Sequence, residues 1–316
     1  MNIIRSATFT LNGYPISSLR NEREDFGVFD GEGVFYFFDR NGAQLGVQRL
    51  SKIGFSDALD FNQFSILTSL DGKFYYSDFK VPLIDILSKV KHPSTWNDKL
   101  FFVNNERLYH WTFKKDFPVL VKDFHQVEMI WSCGETLLVM TKTAWFLLMK
   151  DGRFELLTSD VLPFTSCTYL PKNNTFHFIL PHGEIGLVNL NARLTEPYMT
   201  HATGNGLKIL GTTSDDKVAL SYYNQLIFMK AESSRFDEYS TVTVENLHSQ
   251  PVSVKAHPSR SLFLVQEDKS TAAIWEADSN QCLWRSSFEA ELCYMSFRGN
   301  DFLLGFQNGF MANFTF

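Results

Sequence analysis

A chain of 316 residues that is 44% hydrophobic and 20% charged can bury a large core, and its length suits either two ordinary domains or one large all-β domain. Its 31 phenylalanines favour strands, because aromatic side chains fit a half-buried pleated surface. A net charge of −6 with a pI near 5.8 argues against a protein that holds phosphate backbones through its overall field, so no nucleic acid is expected as a partner.

The first segment, NIIRSATFTLNG, places Ile3, Ala7, Phe9 and Leu11 in alternation with polar residues, which predicts a half-buried strand. It lacks the long apolar region and small-residue cleavage site of a secretory signal, and no later stretch approaches eighteen uncharged apolar residues. No membrane contact is expected, and the expected location is the cytoplasm, with the nucleus as second choice.

An apolar run then recurs along the chain: DFGVF from Asp25, QFSILTS from Gln63, KLFFVNN from Lys99, TLLVMTK from Thr136, TFHFILP from Thr175, KVALSYY from Lys217, SLFLVQE from Ser261 and DFLLGFQ from Asp301. Spacings lie between 36 and 44 residues. A second run follows each one on the same beat, from VFYFFD at Val34 and KFYYSDF at Lys73 to TAAIWEA at Thr271 and FMANFTF at Phe310. The turns around them are rich in Asn, Asp, Gly and Pro, which supply the dihedrals of tight reversals. A further strand precedes or follows most hairpins, as in AQLGVQRL, PVLVKDF, RFELLTS and QCLWRSSF. One segment, VPLIDILSKVK, also fits a helical stripe through Leu83, Ile84, Leu87 and Val90; a strand is expected there.

Four short strands per roughly 40 residues define a propeller blade, which buries its faces by stacking on its neighbours. The last unit runs out of chain after FMANFTF, and the spare N-terminal strand is expected to complete it and cover an open sheet edge. The expected fold is therefore all-β: a single β-propeller over residues 1–316, of eight four-stranded blades with seven as runner-up, closed by the N-terminal strand.

Motif-bearing residues point the same way. Asp71 and Asp78, with Ser77 between the strands' end and the second acid, and in the seventh unit His257-Pro258, Thr271 and Trp275-Glu276, resemble the repeat of the WD40-like β-propeller superfamily. Ser77 stands where that family has Trp, Asp268 falls one residue early, and no unit has a Gly-His pair before its first strand. The family's Asp-His-Ser-Trp tetrad therefore does not carry over. The resemblance implies a platform for protein–protein contacts and implies no chemistry.

Candidate chemistry is sparse. Cys133, Cys167, Cys282 and Cys293 lack zinc-site spacing and read as reduced core thiols. The eight His residues are scattered, so no metal and no cofactor is expected, and there is no GxSxG, P-loop or GxGxxG. Asp215-Asp216 and Glu22, Glu24 and Asp25 read as solvated turn residues. Phe35, Phe37, Tyr75, Phe101, Trp145 and Phe176 read as core. The apolar runs, taken as the inner strands, carry few charges, which favours a non-catalytic scaffold or adaptor for protein partners over the alternative, a hydrolase or lyase with its site in the central channel. The longest spacing contains KAESSRFDEYSTVTV, where Arg235, Phe236 and Tyr239 have the composition of an interface hot spot on a displayed loop.

Overall fold

A computed structural model describes residues 3–21, 23–60, 64–78, 84–88, 90–112, 117–122, 124–159, 161, 163–191, 206–231, 239–279 and 281–316. Among these residues there are strands and turns and no helix. In chain order, β1 (Ile4–Thr10) stands apart, and the first sheet joins β2 (Pro15–Arg20), β3 (Phe26–Asp30), β4 (Val34–Phe38) and β5 (Gln44–Arg49). The second joins β6 (Phe55–Asp60), β7 (Phe64–Ser69), β8 (Lys73–Asp78) and β9 (Ile84–Ser88). The third has β10 (Val90–Trp96), β11 (Lys99–Asn104), β12 (Arg107–Trp111) and β13 (Val119–Lys122). The fourth has β14 (Val127–Cys133), β15 (Thr136–Thr141), β16 (Trp145–Met149) and β17 (Phe154–Thr158). Three described strands form the fifth, β18 (Ser166–Leu170), β19 (Thr175–Ile179) and β20 (Ile185–Asn189). The sixth has β21 (Leu207–Thr212), β22 (Lys217–Tyr222), β23 (Gln225–Ala231) and β24 (Tyr239–Asn246). The seventh has β25 (Ser253–Ala256), β26 (Leu262–Gln266), β27 (Thr271–Glu276) and β28 (Gln281–Ser287). The eighth joins β29 (Leu292–Arg298), β30 (Asp301–Phe306) and β31 (Phe310–Thr315), with β1 as its fourth strand.

These are the blades of an eight-bladed β-propeller. Both predicted registers fall on observed strands: the apolar runs are the second strand of each sheet and the runs after them the third. The ambiguous segment is extended over its described part, as β9 and the start of β10. Contacts divide the chain into two compact units, one of Met1–Lys89, Leu264–Trp275 and Cys282–Phe316, the other of Val90–Phe263 and Glu276–Gln281.

In the first unit the chain's first strand completes its last sheet. β1 runs antiparallel to β31, with Ala7 opposite Asn313 and Phe9 opposite Met311. Ala7, Phe9 and Leu11 are buried against Phe26, Val28, Phe38, Leu303 and Met311. The Phe9 ring stands edge-on to Phe26 and Phe38, with centroids 5.0 and 4.8 Å away. Gly309 shows how close the contact is: its φ is +80°, and an added Cβ would lie 2.4 Å from the Leu11 carbonyl, whose own amide donates to the Gly309 oxygen at 2.9 Å. Ile3 precedes the strand and is half-buried and Ile4 is exposed, as the alternation expects, although the register shifts between Arg5 and Ala7, where Ser6 is an extra residue.

Such extra residues recur on outer strands. Leu45 in β5, Ile86 in β9, Val121 in β13, Leu157 in β17 and Val242 in β24 each interrupt the pairing of a fourth strand with its third. First strands carry them too, at Ile16, Ser56, Glu128, Leu210 and Cys293. Where their pairing is described, the second and third strands pair without interruption, as in β7 with β8 and β11 with β12.

The apolar runs are not the innermost strands. Within the first unit β2 adjoins both β6 and β29, and within the second β10 adjoins β14 and β21 adjoins β18 and β25, so the first strand of each sheet faces its counterparts. These strands read PISSLR, VEMIWSC or LKILGT and are more polar than the runs. The apolar runs are second in each sheet, covered on both faces, and therefore nearly all buried.

Candidate functional site

The innermost strands carry hydroxyl and charged side chains, several of which reach from one blade to the next. Successive strand residues point to opposite faces, so Ser17 reaches the second blade and Ser18 the eighth. The Ser17 hydroxyl lies 2.6 Å from that of Ser65, and the Ser18 hydroxyl 2.8 Å from that of Tyr294. Arg298 donates to the Ser18 carbonyl at 2.6 Å, and Arg20 donates to the Asp301 carboxylate at 2.8 Å while lying over the Phe26 ring. In the second unit the Thr168 and Thr212 hydroxyls meet at 2.7 Å, and the Ile209 amide donates to Ser166 at 3.0 Å.

Asp215 and Asp216 lie in a turn, as expected, but they are not both solvated. Asp216 is wholly buried and accepts hydrogen bonds from the Lys172 and Asn173 amides of the preceding blade, at 2.9 and 2.7 Å. Burial raises its carboxyl above the ordinary range, and those two amides pull the other way. Asp215 is shifted oppositely: burial pushes its carboxyl up, but hydrogen bonds from Ser261 and Thr213 and the Lys217 charge outweigh it and hold it low. Lys217 is 3% exposed and forms ion pairs with Asp215 and Asp278, and its ammonium donates to Ser261 at 3.2 Å. The buried ammonium joins Asp215, Ser261 and Asp278, so this Lys–Ser–Asp group fastens the sixth blade to the seventh. Lys217→Met is expected to lower stability by about 1–2 kcal/mol, short of the roughly 3–5 of a fully buried pair because both carboxylates reach water. Asp278→Asn, on the more exposed partner, is expected to cost less than half of that. Paired urea melts check the order; a loss in Lys217→Met with none in Asp278→Asn would mean that the pair with Asp278 contributes nothing.

The loop read from the sequence as the partner surface falls mostly outside the described residues. Arg235 and Phe236 lie in 232–238, which are not described, and Tyr239 opens β24 opposite Ala231. The surplus length of that unit thus connects the third and fourth strands of the sixth blade. Phe35, Phe101, Trp145 and Phe176 are core, and Phe37 and Tyr75 are half-buried. All four cysteines are free thiols; Cys133 is fully buried and the others half-buried, and burial pushes the Cys167 thiol up to about 12. Among the described residues no group of three His, Cys, Asp or Glu is arranged to hold a metal ion, and no helix is long and apolar enough to cross a membrane.

In the seventh blade the residues named for the sequence resemblance make local contacts. The Trp275 indole donates to Glu267 at 3.1 Å, and Arg285 both pairs with Glu267 and lies over the Trp275 ring, 5.5 Å from its centroid. Asp268 accepts from the Ser270 and Thr271 amides, at 2.7 Å each, and so fixes the turn between β26 and β27.

Two of the recesses lined by described residues of the second unit are sizeable. One, of about 290 Å³, lies at the ends of the innermost strands beside Trp131, Tyr169, Thr212 and His257. The other, of about 430 Å³, lies on the fourth blade beneath the connection to the fifth. Neither was legible in the sequence, because each is assembled from residues on strands and loops far apart in the chain.

No protein-family model matches the sequence, and no curated protein matches it either. Among solved structures the chain is similar to the computationally designed Ika8 protein, at 10% identity and a TM-score of 0.74 over 99% of both chains. It is also similar to BamB from Moraxella catarrhalis, at 8% identity and a TM-score of 0.65, covering 100% of this chain and 98% of that one. At these identities the likeness shows the β-propeller fold alone.

Proposed function

We propose that the protein is a non-catalytic scaffold or adaptor of the WD40-like kind, which holds one or more protein partners within a larger assembly in the cytoplasm or nucleus. The observation that carries this reading is the use made of charge near the innermost strands. Arg20, Arg298 and Lys217 are committed to neighbouring blades, where they stiffen the fold, and an enzyme of this architecture would aim such groups together at a substrate. A rigid support that displays loops is what recognition requires. The acidic net charge favours protein over nucleic acid as the partner.

Affinity purification of the tagged chain with mass spectrometry is expected to return a partner in near-stoichiometric amount; a chain that purifies alone overturns the reading. The loop carrying Arg235, Phe236 and Tyr239 is proposed as one contact surface. Replacing the three together by Ala is expected to leave the melting temperature nearly unchanged and to weaken capture, since hot-spot side chains each contribute about 2 kcal/mol or more to binding. A much lower melting temperature would place the aromatics in the core, and undiminished capture would place the surface elsewhere.

A further inference from the structure

We propose that the recess on the fourth blade is a docking pocket for a large apolar side chain, aromatic above all, that a partner polypeptide presents between a basic and an acidic residue. This rests on the scaffold reading and gives it a site. The volume of about 430 Å³ lies within the range of about 300–1,000 Å³ for sites that engulf what they bind. Its floor is Met140 and Trp145, both buried, and its walls are Met129, Val161 and Phe164, all half-buried. Two thioethers and two rings make an adaptable lining, because methionine follows irregular shapes and its sulfur packs well against aromatic edges. The Trp145 and Phe164 rings meet edge to face at 6.1 Å, so both are already held in place.

Charge decides what accompanies the anchor. Glu128 and Lys142, both exposed, stand on the same pocket and carry opposite signs. Glu128 is the extra residue of a bulge between Val127 and Met129, a device that re-aims a side chain out of the strand's alternation. Lys142 is paired with Glu106 at 3.5 Å, but both side chains are about half exposed and such a pair is weak, so the ammonium is available to a partner's carboxylate. An apolar floor with one anion and one cation matches a peptide carrying both signs beside its anchor. A purely apolar ligand would leave that complementarity unused.

The test uses the whole chain with isotope-labelled methionine methyl groups, the Met129 and Met140 signals being assigned through Met129→Leu and Met140→Leu. The probes are N-acetyl-Lys-Trp-Glu-amide, its Ala analogue N-acetyl-Lys-Ala-Glu-amide, and the uncharged N-acetyl-Gln-Trp-Gln-amide. The charged Trp peptide is expected to shift both methyl signals saturably, the Ala peptide to leave them in place, and the uncharged Trp peptide to bind about threefold more weakly. Val161→Arg, which obstructs the wall without altering the buried floor, is expected to abolish the shift at an unchanged melting temperature. No saturable shift up to about 10 mM peptide, or an equal response to the Ala peptide, overturns the pocket. If a partner is captured equally well by wild type and Val161→Arg, the pocket falls and the scaffold reading stands. If the wild-type chain purifies alone, the scaffold reading itself falls.

Discussion

Deletion of residues 1–12 is expected to leave a chain that no longer melts cooperatively. The deletion removes Phe9 and Leu11, each buried to within 4% of its surface, together with Ala7 and the whole ladder between β1 and β31. At roughly 1.5–3 kcal/mol for each large side chain, the apolar loss alone reaches about 3–6 kcal/mol. The remaining groove would expose Phe26, Phe38 and Met311 to water and leave β31 as a bare edge. Against a net stability of about 5–15 kcal/mol for a whole domain, such a loss leaves little. Thermal melts followed by near-ultraviolet circular dichroism, with sedimentation to detect aggregates, check the outcome. A synthetic peptide of residues 1–12 added in trans is expected to restore part of the transition. A deleted chain that stays soluble and melts sharply would show that the eighth blade stands without its borrowed strand.

Acid is expected to destabilise the protein through His177 well before its carboxylates protonate. His177 is 3% exposed in β19, beside Ile179, Ile185, Ile209, Val218 and Leu220, and its Nε2 lies 2.9 Å from the Thr175 hydroxyl. Burial drives its pKa from 6.5 down to about 3, because these apolar neighbours cannot solvate an imidazolium. The folded state therefore stays neutral at a pH where the unfolded chain binds a proton. Stability from this group is complete above about pH 6.5 and falls as the pH drops from there towards 3, by about 2 kcal/mol at pH 5. His177→Gln does not titrate. The stability difference between wild type and this variant is expected to change by that amount between pH 7.5 and pH 5, whereas a difference independent of pH would mean that His177 is charged or solvated in the fold.

The parts of this architecture that can be read from the residues are those governed by local pattern. The second and third strands of each blade stand out because KLFFVNN or TLLVMTK is covered on both faces, so the apolar run is continuous and the turn after it is marked by Asn, Asp or Gly. The first strands escape such a reading. PISSLR has its hydroxyls buried by partners at residues 65 and 294, and nothing local distinguishes a serine paired across blades from one facing water. The same holds for Asp216, read as a solvated turn acid but buried because two amides some forty residues earlier in the chain come to meet it. In the N-terminal strand the alternation of Ala7, Phe9 and Leu11 is legible, whereas the extra residue at Ser6 leaves no mark in the sequence pattern. The recess on the fourth blade needs Glu128, Lys142 and Phe164 brought together from three segments, and only tertiary packing does so.

The interruptions at Ser6, Leu45, Ile86, Val121, Leu157 and Val242 reach beyond local geometry. A flat outermost strand is a template on which any extended polypeptide can crystallise, and a crowded cell supplies many. An additional residue in each of these strands sets its free amides and carbonyls out of step, so an incoming strand finds no continuous row to match. Leu45 and Val47 are exposed on such a margin, where the broken row of donors and acceptors disfavours edge-to-edge pairing. Any protein that does associate must read turns and side chains, which differ from blade to blade, and cannot rely on a backbone that is the same everywhere. On the proposed scaffold reading, discrimination between partners is a property of the periphery.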